Sequence, residues 1–387
     1  MKATLTTLTP VHIGNGTTYN KNIDFIQSGK NIGIVDEEKV LQIIGEENIH
    51  QWVASINKGG DAFILLLKQR GWTEDKLDAI SSRIDNLINL NNKSTQLKEI
   101  YRTPIKGITI PGSSIKGSIK TAVLNSFMSN EFLANTAVND LKKWKEKKDP
   151  NTGKLIPTNV KWSDAKIDKK IFGQNANEKS TRFLKVFDAH FGEIQANVYE
   201  MQILDAFHDG WRFKQGQQVL LEAIPSGSIA DIDITIDTLL LNKNRQLNPS
   251  LWSNDKMHFL LNGINGLCKI VNDFTKSLIK YDYNSLKEES LSDAGITMLN
   301  NAVEIHKIFK TLGENEMILR VGGNSGYLFT TGQWVENKGF EISPEDFQNL
   351  RKNIQKRDYS DMDIWPKTRK ISTDGQVFGF VKIKFHD

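Results

Sequence analysis

The stretch "IPGSSIKGSIKTAVL", from Ile110 to Leu124, is the place where the fold is decided. A nucleotide-triphosphatase loop of the form G-x-x-x-x-G-K-[ST] would put its lysine on the terminal phosphates and its hydroxyl on magnesium. Gly112 and Gly117 have that spacing, but Ser118 stands at the lysine position, Ile119 at the hydroxyl position, and Lys116 one residue before the second glycine. The nucleotide reading is weak for that reason. What survives is a helix start. The backbone N–H groups of Gly112, Ser113 and Ser114, with Lys116 and Lys120 following at helical spacing, suit a phosphate in a polymer backbone. Ordinary helix capping by Ser113 or Ser114 accounts for the serines equally well.

Outward from that helix, the apolar pattern alternates between the two main periods. "KATLTTLTPVHIGNG" reads as a strand running into an irregular loop broken at Pro10, Gly14 and Gly16, and "DFIQSGKNIGIVD" as a hairpin turning at Ser28 to Lys30. From Glu37 to about Leu97 the spacing of Trp52, Ile56, Leu65, Leu77, Ile80, Ile84 and Leu87 predicts a helical insertion. Residues 135–180 are polar, basic and turn-rich, and read mostly as a long mobile loop. "RFLKVFDAHF", "QQVLLEAIP" and "ADIDITIDTLLL" predict strands, 254–279 and 291–312 helices, "EMILRVGG" a strand, 344–355 a helix and "QVFGFVKIKF" a closing strand. Helices interleaved with strands and hairpins predict an α+β fold with antiparallel sheets, not a doubly wound parallel sheet. Two β-α-β modules, 1–205 and 206–387, joined near 195–215, fit the alternation.

Charge is distributed unevenly over the 387 residues. The whole chain carries a formal net of +4, yet residues 98–185 hold 18 Lys plus Arg against 8 Asp plus Glu, and residues 351–387 hold 9 against 5. The remainder is therefore net acidic. Two basic regions on an acidic scaffold point to a polyanion partner. The longest apolar runs, such as Ala62 to Leu67, are too short to span a bilayer, and "MKATLTTLTP" lacks a signal-peptide pattern. A cytoplasmic protein with no membrane partner is expected. The single cysteine, Cys268, excludes an internal disulfide and any multi-cysteine zinc site, and its apolar surroundings predict a buried thiol.

Two further clusters carry binding chemistry. In "RVGGNSGYLFTTG", Gly322, Gly323 and Gly326 follow a strand, Asn324 breaks any dinucleotide fingerprint, and Arg320 and Tyr327 are candidates for pairing with phosphate and stacking on a base. A tight turn with Tyr327 in the core is the plainer account. In "WPKTRKIS", Lys367, Arg369 and Lys370 stand beside Trp365, cations next to a stacking face. None of the seven histidines falls in a zinc signature. His12 is a candidate acid or base beside the first glycine loop, although a lone His there is more often structural. Asp231, Asp233 and Asp237 share a strand face that would hold magnesium only if further carboxylates converged. No cofactor or metal is expected.

Taken in order, "LTPVHIGNG", "IPGSSIKGSIKTAVL", "IFGQ" with "LKVFDAHF", "LLEAIPSGS", "LRVGGNSGYL" and "WPKTRK" resemble the RAMP superfamily of CRISPR-Cas proteins, from end to end. Their order looks most like the family of fifth subunits of type III-A Csm interference complexes. The resemblance implies two RRM-like (ferredoxin-like) modules and a noncatalytic RNA-binding subunit at the end of a ribonucleoprotein filament. The implied place is near the 3' end of the CRISPR RNA, in support of guide maturation, target RNA binding and antiviral defence. It implies as partners CRISPR RNA and target RNA, the neighbouring Csm backbone and small subunits, and host nucleases during guide maturation. The opening motif falls on His12 and Gly14, the helix-start motif on Gly112, Ser113, Ser114, Lys116 and Gly117, and the glycine-rich motif on Gly322, Gly323 and Gly326. The enzyme alternative is a metal-independent, guide-processing endoribonuclease of the same superfamily, with His12 as its acid or base.

Overall fold

The computed structural model describes residues 1–89, 93–127, 146–153, 155–157, 165–207, 210–287, 292–329 and 366–386. The helix expected over 344–355, Trp365 and much of the 135–180 segment lie outside the described residues. The fold is α+β, as expected. One sheet of five strands is antiparallel throughout, in the order Leu184–Val186, Ile229–Ile236, Lys2–Thr7, Phe380–Phe385, Glu316–Arg320. The alternation of "KATLTT" buries Ala3, Leu5 and Thr7 on one face. Two helices pack with this sheet and with each other, Gly112–Phe127 and Gly263–Lys287.

The edge strand Glu316–Arg320 is not left open. Asn272, on the Gly263–Lys287 helix, donates Nδ2–H to the Glu316 carbonyl at 2.9 Å and accepts the Ile318 N–H at 2.9 Å. Thr275 donates its hydroxyl to the Ile318 carbonyl at 2.8 Å. The helix thus satisfies main-chain groups that an open edge would offer to another chain.

A larger sheet runs Gly14–Asn20, Gln96–Ile100, Val219–Ala223, Asn197–Phe207, Ser81–Leu87, Asn31–Val35, Phe25–Ser28, with Gly210–Phe213 and Thr368–Ser372 also paired to Asn197–Phe207. Its pairings are antiparallel apart from two short parallel contacts. The expected hairpin turns at Gly29, where φ is +53°.

Three expectations change. The helical insertion ends early: helices occupy Glu37–Ile44, Ile49–Lys58 and Ala62–Gln69, but Ser81–Leu87 and Gln96–Ile100 are strands. Ile80, Ile84 and Leu87 match a helical period by coincidence, because Asp85, buried among ions, occupies an inward position that an alternating strand would give to an apolar residue. The basic 135–180 segment contains a helix, Ala165–Phe172, and two short paired strands. The expected join near 195–215 holds Asn197–Phe207, an eleven-residue strand that meets four others. It is buried on both faces, so it shows no alternation to read. Each sheet draws strands from both sides of residue 205, so the hydrogen-bonded sheets do not divide there.

Candidate nucleic-acid interface

Three segments that stand far apart in sequence come together at one end of the five-stranded sheet. The carbonyl of His12 accepts the Gly323 N–H at 3.2 Å. Gly322 has φ +93°, and a Cβ there would sit 2.4 Å from that same carbonyl. The Ser118 hydroxyl, on the Gly112–Phe127 helix, donates to the Arg320 carbonyl at 2.9 Å. The opening loop, the helix-start segment and the glycine-rich loop are thus neighbours, and only glycine permits the closest of these approaches. The glycine-rich loop and the basic stretch after residue 365 also meet, in a recess lined by Asp282, Gly326, Tyr327, Thr368 and Lys370.

Within this frame the predicted residues divide into struts and exposed groups. Arg320 is a strut. Its Nε donates to the Phe378 carbonyl at 2.7 Å and its Nη2 to the Asn324 carbonyl at 3.3 Å, while the rings of Phe329 and Phe380 lie 4.9 Å from the guanidinium. Burial pulls this guanidinium down to about 10, Arg369 adds to the shift and Asp282 opposes it. Arg369 is equally committed: its Nε donates to Asp282 Oδ1 at 2.8 Å, its Nη2 forms an ion pair with the same oxygen at 2.8 Å, and the Trp211 ring lies 5.5 Å from the guanidinium. Lys367 lies 3.5 Å from Asp205, and Lys120 pairs with Asp168 over the Phe172 ring. Phosphate pairing was the expectation for all four, and in this structure protein groups hold each of them.

The helix start differs from both of its sequence readings. Asp188 Oδ1 accepts the Gly112 N–H at 2.7 Å, so a carboxylate from another strand region stands where a phosphate or a serine cap was expected. Gly112 itself is required for packing, since a Cβ would lie 2.3 Å from the Val186 carbonyl oxygen. Exposed groups remain nearby: Ser113, Gly117, Gly323 and Lys370 are open to solvent, Gly14 opens the exposed strand Gly14–Asn20, and Ser114, Lys116, Gly326 and Tyr327 are half-buried. Partial burial lowers the Lys116 ammonium below its ordinary value.

His12 is buried, with Nδ1 bonded to the Glu222 carbonyl at 2.7 Å. Burial holds its imidazole below the ordinary value, against that bond. This is the structural histidine that the sequence left open. Cys268 is a buried thiol pushed up to about 12 by burial. The aspartates have separate tasks: Asp233 pairs with Lys2 at 2.7 Å, and Asp237 caps the Thr238–Leu247 helix and pairs with Lys185 at 2.8 Å. Among the described residues no group of His, Cys, Asp or Glu is arranged to hold a metal.

Sequence reasoning missed a buried ionic cluster behind His12. Arg83 Nη2 reaches Glu222 Oε1 at 2.6 Å and Glu99 Oε1 at 3.0 Å, its Nε lies 3.4 Å from Asp85, and Arg102 lies 3.6 Å from Asp85. Glu222 also accepts the Ile100 N–H at 3.0 Å, and Asp85 the Ala196 N–H at 3.2 Å. The cluster ties three strands of the larger sheet together. The missed signal was the charge at inward positions: Arg83 and Asp85 two residues apart on one strand, and Glu222 within the apolar run "VLLEA".

Burial and the neighbouring Glu222 carboxylate push Asp85 up to about 7, against the pull of Arg102 and Arg83. A carboxyl raised on folding binds its extra proton in the native state, so its contribution to stability falls as pH rises from about 4 to 7. Asp85→Asn removes that slope. Urea denaturation at pH 5 and at pH 7.5 should show wild type losing more stability over the interval than the variant, by about 1 kcal/mol or more. His12 titrates in the opposite sense but is common to both proteins. Equal changes in the two proteins would refute the assignment.

The sequence model of the RAMP superfamily matches residues 4–356. The chain belongs to the RAMP superfamily. No curated protein sequence matches it. Two solved structures share the fold of this RAMP protein over almost its whole length. One is a chain of a Csm–crRNA–target RNA ternary complex of a type III-A CRISPR-Cas system solved by cryo-EM, with a TM-score of 0.71 and 21% identity over 99% of this chain and 100% of that one. The other is the crystal structure of T. onnurineus Csm5, with a TM-score of 0.66 and 17% identity over 98% and 99%. The expected antiparallel α+β architecture of the superfamily is present. Among the described residues of this RAMP protein no helix is long and apolar enough to cross a membrane.

Proposed function

We propose that the protein is a noncatalytic RNA-binding subunit of a type III-A CRISPR (Csm) interference complex. In this reading it caps the filament near the 3' end of the CRISPR RNA and supports guide maturation and target RNA binding. The observation that carries the reading is the end-to-end fold correspondence with a protein found in a complex with crRNA and target RNA. The meeting of the opening loop, the helix start and the glycine-rich loop on one surface supports it. The exposed or half-exposed groups of that surface, Lys116, Gly117, Gly323, Tyr327 and Lys370, are its RNA contacts. Arg320, Arg369, Gly112 and His12 act behind them as positioning residues. Backbone and small Csm subunits are the neighbours, and host nucleases the visitors during guide maturation.

The endoribonuclease alternative depends on His12, and a buried imidazole already bonded to a carbonyl is badly placed to exchange protons with a substrate. The test is photo-crosslinking in the reconstituted complex, with a crosslinkable base near the guide 3' end. Crosslinks should map to the glycine-rich loop and its surroundings, and Lys116→Glu with Lys370→Glu should reduce them at least several-fold. Purified protein that cuts precursor RNA alone, and loses this on His12→Ala, would sink the reading.

A further inference from the structure

We propose that the groove along the Gly263–Lys287 helix, facing the Asp293–Ile308 helix and the turn after it, is a second nucleic-acid track. It holds the phosphate backbone of one RNA strand without reading its sequence. The proposal goes beyond the function above, since it uses neither the glycine-rich loop nor any of the motifs.

The Gly263–Lys287 helix is amphipathic. Leu267, Val271, Phe274 and Leu278 are buried, while Lys269, Asp273, Lys276 and Lys280 are exposed on the opposite side. Lys269, Lys276 and Lys280 are seven and four residues apart, so their attachment points lie roughly 10 and 6 Å apart along one face. Lys307 and Lys310 come from the end of the facing helix and the turn beyond it. Two open depressions of about 550 and 580 Å³ have Lys276 in common and follow one another along the helix.

The lining chemistry selects the occupant. Lys307 is paired with Glu304 at 2.6 Å. Among the described residues, Lys269, Lys276, Lys280 and Lys310 have no ion-pair partner, and the carboxylates of Asp273 and Glu314 do not balance them. The side-chain amides of Asn262, Asn265 and Asn284 line the groove beside these cations, with Tyr283 and Phe309 adding aromatic surface. Ammonium groups for phosphates, amides for sugar and base edges, and rings for stacking are what a single strand requires. An acidic protein would use the cations but gains little from the amides. The groove shares no lining residue with the recess beside the glycine-rich loop, so its cations can be changed without touching that surface. Residue counts hid it, because a net-acidic region becomes locally positive when a helix gathers its lysines on one face.

The test is fluorescence anisotropy of the full chain with a labelled oligouridylate of about 20 nucleotides, at several salt concentrations. Lys276→Glu, Lys280→Glu and Lys310→Glu together should raise Kd at least tenfold. They should also flatten the dependence of log K on log salt by about 2, as expected for three lost single-strand phosphate contacts. All three side chains are exposed, so an unchanged melting temperature verifies the fold. Lys116→Glu with Lys370→Glu tests the other surface separately. If that pair weakens binding while the groove triple leaves affinity and slope unchanged, the groove proposal is overturned and the proposed function stands. If wild type does not bind the oligouridylate at low salt, or if the triple loses an acidic protein partner and no RNA, the proposal is overturned as well.

Discussion

Arg320→Met should lower the free energy of unfolding by about 3 kcal/mol, with any loss of RNA binding following from the displaced loop. The guanidinium joins the carbonyls of Phe378 and Asn324 and lies against the rings of Phe329 and Phe380. Methionine keeps much of the volume but leaves both buried carbonyls without their donor. Arg320→Lys keeps a charge but has one ammonium where the fork of the guanidinium reached two acceptors, so it should recover only part of the stability. Chemical denaturation and guide binding, measured on the same preparations, separate the roles. If Arg320→Met were as stable as wild type but bound RNA more weakly, Arg320 would be a phosphate ligand and not a strut.

Gly322→Val should cost about 3 kcal/mol or more, through backbone strain and a steric clash acting together. At φ +93° a side chain is disfavoured, and its Cβ would lie 2.4 Å from the His12 carbonyl oxygen, so the opening loop and the glycine-rich loop could not stay in contact. Gly326 provides the comparison. It has φ +78° with nothing within 4 Å of its missing Cβ. Gly326→Ala therefore meets the conformational cost alone, about 1 kcal/mol. Thermal melts of the two variants should differ clearly, and similar shifts would mean that the loops are not held together at His12.

The strands with one wet face were legible: Lys2–Thr7 and Ile229–Ile236 carry a two-residue period, and the hairpin at Gly29 is marked by its turn residues. The amphipathic helices after residue 250 were legible for the same reason. Asn197–Phe207 was not, because a strand buried on both faces has no period and its Glu200, Gln202 and Asp205 look like loop residues. For the site, the motifs named loops that the fold brings together but did not distinguish an exposed group from a support. Arg320 and Arg369 are cations next to glycines and aromatics in sequence, the signature of a phosphate site. Only their burial and their partners reveal that they hold the protein together. The Gly112 amide shows the same limit, since its partner Asp188 lies 76 residues away.

The central claim is that the surface formed where the His12 loop, the Gly112–Phe127 helix start and the Gly322–Gly326 loop meet contacts the guide near its 3' end. Crosslinking the guide in the assembled complex, followed by peptide mapping, addresses it directly. Crosslinks at Gly323, Tyr327 or Lys370 from a base near the 3' end, reduced by Lys116→Glu with Lys370→Glu, are the predicted result. Crosslinks from that base that map only to other subunits, with the charge reversals leaving guide occupancy unchanged, would contradict it.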